Sequence, residues 1–238
     1  MRTPAVKLIK SVLPAVALAG ITLLCTTVPA KADGMQPETT IVVIHEEDGE
    51  ATMSVKNSDP MSALLHTTIH DIPEDTESVV VVTPPIARVE AGQSQLVRFI
   101  YQGEPLATQR MKRVSFDTIK QSRKGEEGSS VGVSVRQNLP ILLHPKGLPR
   151  NEKPWELLAW SLQGDQLSVT NDSAYVVRLA QEVHVMPSDA MGTLPRTYLL
   201  PGERFTTTVA GAGNDDRVRL QPASVYGFTV KEHIAPLK

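Results

Sequence analysis

Short runs of alternating apolar and polar residues fill this chain from about residue 39 onward, and turn residues interrupt them at roughly ten-residue spacing. The period of two places 39–45, 51–56, 64–70, 78–83, 95–101, 110–119 and 131–144 in strands. Asp48-Gly49 and Ala91-Gly92 supply the turn chemistry between neighbours. The stretch Pro145-Lys146-Gly147-Leu148-Pro149-Arg150-Asn151 then breaks the pattern. Alternation resumes over 156–162, 166–170, 175–186, 197–200, 204–209, 217–221 and 225–231, with turns at Gly164-Asp165 and Pro201-Gly202. No stretch beyond the first 32 residues keeps a 3.6-residue apolar period over a helical length. Seven strands, a bend and seven more predict an all-β chain of two immunoglobulin-like β-sandwich domains. The domains are expected at 33–146 and 154–238, with a linker at 147–153.

One predicted strand departs from this pattern. Val131, Val133 and Val135 fall on one face, opposite Gly132, Ser134 and Arg136, and the run continues to Pro145. That is well beyond the usual strand of roughly five or six residues. Pro140 lies within it, and proline is tolerated in a sheet only at an edge or a bulge. Proteins normally blunt a long apolar edge with charge, because it invites pairing with another chain. Here the polar spacer QSRKGEEGSS precedes a valine stripe that is left intact. The strand therefore reads as one meant to pair with a partner, and as a route to self-association when the protein is free.

The N-terminus sets the compartment. Arg2, Lys7 and Lys10 precede an apolar stretch from about Val12 to Val28, and Ala30-Lys31-Ala32 offers a small-x-small cleavage site. Residues 1–32 read as a secretory signal peptide, and Cys25, the only cysteine, falls within it. Removing 32 of the 238 residues leaves 206, with 20 basic against 26 acidic side chains. A net charge of −6 with no basic field gives no reason to expect nucleic acid or anionic lipid as partner. Without cysteine no disulfide can staple the mature chain, so packed cores must hold it. Aromatics at 4% leave those cores mostly to Val, Leu and Ile.

Candidate chemistry is thin. His66 and His70 stand four residues apart on a strand, roughly 13 Å at 3.3 Å per residue, too far to share one ion at about 2 Å. Glu46-Glu47-Asp48 lacks the ligand ladder of a calcium loop and reads as a solvated hairpin tip. Gly211-Ala212-Gly213 has neither a third glycine nor a helix to follow it. No Gly-x-Ser-x-Gly elbow occurs, and no thiol remains for a nucleophile. The residues point to no enzyme, no metal and no cofactor.

The segment Val82-Thr83-Pro84-Pro85-Ile86-Ala87-Arg88-Val89-Glu90-Ala91-Gly92-Gln93, followed by Leu96-Val97-Arg98-Phe99, resembles the signature of periplasmic pilus chaperones of the chaperone–usher pathway. In the second half, Val169-Thr170-Asn171-Asp172-Ser173-Ala174-Tyr175 is similar to the family's Asn-x-Thr/Ser-x-Tyr segment, and Leu200-Pro201-Gly202 to a later turn. The resemblance implies two sandwiches set in an L around a cleft. It also implies a periplasmic protein that caps a pilus or fimbrial subunit and delivers it to an outer-membrane usher. The subunit is a sandwich missing its last strand, and the chaperone lends its own edge in place of that strand. By position Val131, Val133 and Val135 match the family's donated residues.

Two departures stand out. Most members place an Arg at the start of the first strand and a Lys in the last strand, where they anchor the subunit's terminal carboxylate. This chain has Ile41 (or Thr40) and Pro140 there, which suggests a non-standard lineage. Arg136 and Lys146 are the nearby substitutes, and each reads more simply as a solvated charge. The competing reading is a secreted structural or adhesive protein of two immunoglobulin-like domains. Residues 33–40 (DGMQPETT) lack the alternating extension that a polymerising subunit needs, which favours the chaperone.

Overall fold

Burial follows the predicted alternation in both halves of the chain. The computed structural model describes residues 34–120, 136–224 and 230–238. In the first sandwich a four-stranded sheet comprises β1 (Met35–Pro37), β3 (Glu50–Asn57), β7 (Ser94–Tyr101) and β5 (Val80–Thr83), in that spatial order. A five-stranded sheet of β2 (Val42–His45), β9 (Arg136–His144), β8 (Arg110–Lys120), β4 (Ala63–His70) and β6 (Ile86–Val89) faces it. Val97 and Phe99 of β7, Val114 and Phe116 of β8, and Ile141 and Leu143 of β9 alternate inward and are fully buried. They form one core with Val42, Ile44, Met53 and Leu65.

The predicted strand at 39–45 is the second half of an edge that changes sheets. β1 pairs antiparallel with β3, and the chain then crosses over so that β2 runs parallel to β9. At the crossover Thr39 Oγ1 donates to the Ile41 carbonyl (2.8 Å) and Ser54 N donates to Glu38 Oε1 (3.0 Å). Gly92 takes a φ of +73° in the predicted turn before β7, a conformation costly for any residue with a Cβ.

The second sandwich pairs β10 (Ala159–Gln163), β11 (Gln166–Thr170) and β15 (Arg204–Thr208) in one sheet. Its other sheet has the order β13 (Ala190–Thr193), β12 (Val177–Met186), β16 (Arg217–Pro222) and β17 (His233–Pro236), and β14 (Tyr198–Leu199) adds to β12. Two expectations need correction. Pro154 opens a 3₁₀ turn over Pro154–Leu157 that buries Trp155, so the strand expected at 156–162 begins at Ala159 instead. Residues 225–229 of the strand expected at 225–231 lie outside the described residues, and the closing strand β17 comes later, where His233–Pro236 can pair with β16.

Asn171 accounts for the Asn-x-Ser-x-Tyr segment. It is fully buried, and its Nδ2 donates to the carbonyls of Tyr175 (2.8 Å), Leu200 (3.1 Å) and Leu199 (3.3 Å). Its Oδ1 accepts from Ser173 Oγ (2.6 Å) and Ser173 N (3.2 Å). One side chain thus ties the end of β11 to β14 and to the turn that carries Gly202. Asn171→Ala is expected to destabilise the second sandwich by about 3 kcal/mol, since buried carbonyls left unpaired cost roughly 1–3 kcal/mol each. Urea unfolding followed by Trp155 and Trp160 fluorescence checks this, and a loss under about 1 kcal/mol would contradict it.

Candidate functional site

The edge of the five-stranded sheet is half open. β2 covers β9 only from Ile141 to His144, in register with Val42 to His45. Residues 136–140 of β9 pair with β8, Arg136 opposite Asp117 and Pro140 opposite Arg113, and no strand covers their other edge among the described residues. The composition of β9 reflects these two environments. From 136 to 139 the strand is at most half-buried, whereas Ile141 and Leu143 face the sandwich core. Leu142 points the opposite way and joins Ile41, Ile72, Met111 and Val176 in a second cluster. Burial on both faces explains why the run Ile141-Leu142-Leu143 reads as continuous rather than alternating.

Val176 belongs to the second sandwich, so this cluster joins the two. Gln109 adds a polar join beside it. Its Oε1 accepts from Val176 N (2.9 Å), its backbone N donates to the Ala174 carbonyl (2.9 Å), and its Nε2 sits 2.8 Å from His144 Nδ1. His144 Nε2 lies 2.8 Å from the Leu148 carbonyl, which can only accept. The proton therefore sits on Nε2, and Nδ1 accepts from the Gln109 amide. His45 stacks edge-on against His144 at 5.0 Å. Burial, then the proximity of His144 and Arg150, holds the His45 imidazole below its ordinary value, so it is neutral at pH 7. Tyr175 Oη donates to the Pro149 carbonyl (2.7 Å), and Tyr198 Oη donates to Glu74 Oε2 (2.8 Å).

The residues singled out from the sequence fare differently. Val131, Val133 and Val135 lie outside the described residues. Arg136 donates to Asp117 Oδ1 (2.5 Å) and Lys146 is exposed. Ile41 and Pro140 are buried at the closed end of the open edge, and neither offers a charge. His70 lies 2.9 Å from Ser115 Oγ, and no group of three potential metal ligands occurs among the described residues.

Sequence reasoning missed Arg178. It follows Val177 and precedes Leu179, both buried in the second core, so alternation alone marks it as solvent-facing. The opposite face of that strand, however, lies against the first sandwich through Val176. Arg178 consequently lines a shallow recess of about 10 Å³, room for about one water, with Ile41, Pro140, Leu142, Val176 and Ser224.

Two immunoglobulin-like sandwiches, one with a half-open sheet edge, define the fold class, and the relatives of the chain narrow it. Residues 34–149 match the model of the pili and flagellar-assembly chaperone PapD N-terminal domain, and 153–234 that of the pili assembly chaperone PapD C-terminal domain. The chain belongs to this family of pilus-assembly chaperones. It is 41% identical over 215 residues to the uncharacterized fimbrial chaperone YhcA of Escherichia coli K12, covering 90% of this chain and 95% of that protein. The chaperone protein FimB/FhaD of Bordetella pertussis is 26% identical over 83% of this chain and 86% of its own length. Among solved structures, the complex of the Salmonella enterica SafA pilin with the SafB chaperone contains a chain of the same fold. It matches with a TM-score of 0.71 at 18% identity, over 87% of this chain and 98% of that one. The E. coli chaperone DraB matches at TM-score 0.69 and 17% identity, over 87% and 100%.

Proposed function

We propose that the chain is a periplasmic chaperone that lends the strand from Val131 to Pro140 to an incomplete pilus or fimbrial subunit and passes the subunit to an outer-membrane usher. Val131, Val133 and Val135 fill the subunit's open groove, and backbone pairing sets the register. The half-open edge of β9 carries this reading, because a sheet edge left bare at 136–140 accepts a strand. The likeness to a chaperone solved with its pilin supports it, and the secretory pattern of 1–32 supports the compartment. No step in lending a strand breaks a bond, so the protein acts without catalysis, cofactor or metal.

The magnitudes suit a transient host. Three buried valines contribute roughly 1.5–3 kcal/mol each in gross terms. Association entropy offsets much of that, leaving a complex that a competing strand can displace.

A pull-down from periplasmic extract tests the proposal with the mature protein beside a Val133→Asp, Val135→Asp double variant, bound chains being identified by mass. The wild type is expected to retain a small β-rich secreted protein at one-to-one stoichiometry. The folded variant is expected to lose at least tenfold of that capture, since each aspartate would be desolvated without a partner. Equal capture by both, or none by either, would sink the proposal in favour of a structural two-domain protein.

A further inference from the structure

We propose that Arg113 guards the lent edge. In the free protein its guanidinium reaches from β8 across β9 and holds the Asn138 carbonyl, an acceptor that an arriving strand needs, so a strand pairs there only by displacing it. The inference rests on the chaperone reading and adds to it a residue that decides which strands are accepted.

The direction of the Asn138 carbonyl comes first. Glu46 N donates to the His144 carbonyl (2.9 Å), so that carbonyl faces β2. In an extended strand the backbone N–H and C=O of every second residue point to the same side. β9 keeps one register against β8 from Arg136 to Leu143, without a bulge. The backbone groups of Leu142, Pro140, Asn138 and Arg136 therefore face the same way as those of His144. β2 begins opposite Ile141, so those of Pro140, Asn138 and Arg136 form the open edge.

Two groups on that edge are blunted. Pro140 has no N–H to give. Arg113 stands opposite Pro140 on β8, and since its neighbour Val114 is buried in the core, Arg113 projects from the outer face. Its Nη2 donates to the Asn138 carbonyl (3.1 Å) and its Nε to Asn138 Oδ1 (2.7 Å), so two bonds fix the guanidinium over one residue of the lent strand. Arg136 differs, since its Nε donates to the Asp117 carboxylate (2.5 Å) rather than to backbone.

Proteins commonly blunt an open edge with charge on the edge strand itself. Here the charge comes from the strand behind, on a flexible stem that can swing away. A guanidinium has donors and no acceptor, so it takes the carbonyl and leaves the Asn138 N–H open. Its charge-assisted bond is stronger than the neutral amide bond that would replace it. A strand that offers backbone pairing alone therefore gains little by displacing Arg113. A client that also buries apolar side chains along the edge recovers the loss, whereas a second copy of the chaperone does not. The guard gives up some affinity for the client in exchange for selectivity.

The test sets Arg113→Met beside Arg88→Met. Arg88 lies on β6, at the far edge of the same sheet, and pairs with Glu90 (2.8 Å), so its loss removes an equal charge far from the lent strand. Wild-type and variant mature proteins carrying different tags compete in equal amounts for a limiting quantity of the captured subunit. Arg113→Met is expected to take about twofold to tenfold more subunit than the wild type, and Arg88→Met an equal share. Asn138→Ala, which removes the Nε partner and keeps the carbonyl, is expected to move the share in the same direction by less. An equal share for Arg113→Met would overturn the proposal, and so would a gain as large with Arg88→Met, which would assign the effect to net charge. Should the wild type capture no subunit, the chaperone reading fails, and the free protein still decides the guard by sedimentation velocity. Arg113→Met is then expected to self-associate at severalfold lower concentration than the wild type, and an unchanged concentration dependence would overturn it.

Discussion

Asp75→Ala is expected to destabilise the first sandwich by about 3–5 kcal/mol at neutral pH, because it removes the carboxylate that a buried lysine shares with Arg110. The Lys112 side chain is fully buried on β8. Its Nζ donates to the Asp75 carbonyl (2.6 Å) and Asp75 Oδ1 (2.8 Å) and lies 3.0 Å from Asp71 Oδ1. Arg110 holds the same carboxylate with Nε on Oδ2 (2.7 Å) and Nη2 on Oδ1 (2.5 Å). With the carboxylate gone, Lys112 keeps Asp71 and the backbone carbonyl of residue 75, and Arg110 keeps Glu77 at 3.0 Å, which places the loss toward the lower end of that range. Urea unfolding followed by circular dichroism reads it, and a change under about 1 kcal/mol would show that the cluster contributes little.

The same carboxylate predicts an acid limb. Burial pushes the Asp75 carboxyl up, but the hydrogen bonds from Arg110 and Lys112 outweigh burial and hold it at about 2, against 3.8 for a free aspartate. A depressed value stabilises the fold above the unfolded pKa. That contribution, at most about 2 kcal/mol, is complete above roughly pH 5 and is lost as the pH falls toward 2. Asp75→Asn should flatten this part of the stability profile. An unchanged acid limb in that variant would mean that other carboxylates set it.

Phe116→Ala is the second large effect, expected at about 3–5 kcal/mol. Phe116 on β8 and Phe99 on β7 are both fully buried and meet edge-to-face at 6.4 Å and 88°, one from each sheet. In a chain with 4% aromatics this contact has few substitutes, so deletion leaves a cavity between the layers. Calorimetry should show the first sandwich melting earlier while the second is unmoved. A double-mutant cycle with Phe99→Leu should return a coupling of about 0.5–1.5 kcal/mol. Additivity within error would mean that the rings merely fill volume.

Much of this was legible in the sequence where period-two alternation coincides with burial on one face, as in β3, β7 and β8. Gly92 and Gly202 marked turns for the same local reason. Legibility fell where a strand is buried on both faces or where its outer face is covered by a distant element. Leu142 looked like part of a continuous core run, yet it belongs to the cluster that joins the domains. Lys112 shares the inward face of Val114 and Phe116, where alternation calls for an apolar residue. Only the segment that carries Asp71 and Asp75, which brings carboxylates to its ammonium, explains a lysine buried there. Arg178 was invisible for a related reason, since only the placement of one domain against the other turns its face inward. β1 and β13, of three and four residues, are too short for any periodicity to register. The resemblance points to the strand proposed above as the lent one, but no pattern in β9 alone says that β2 covers it only from Ile141 onward.

The parallel seam between β2 and β9 has a consequence in time. Its partners, Val42 to His45 and Ile141 to His144, stand about a hundred residues apart, so the seam is among the last contacts the first domain can close. As the chain is synthesised the N-terminal end emerges first, and Val42 and Ile44 must wait for nearly the whole domain before their edge is covered. The protein that shields unfinished chains passes through the same exposed stage itself, and variants that slow closure of this seam should be lost to proteolysis before they ever meet a client.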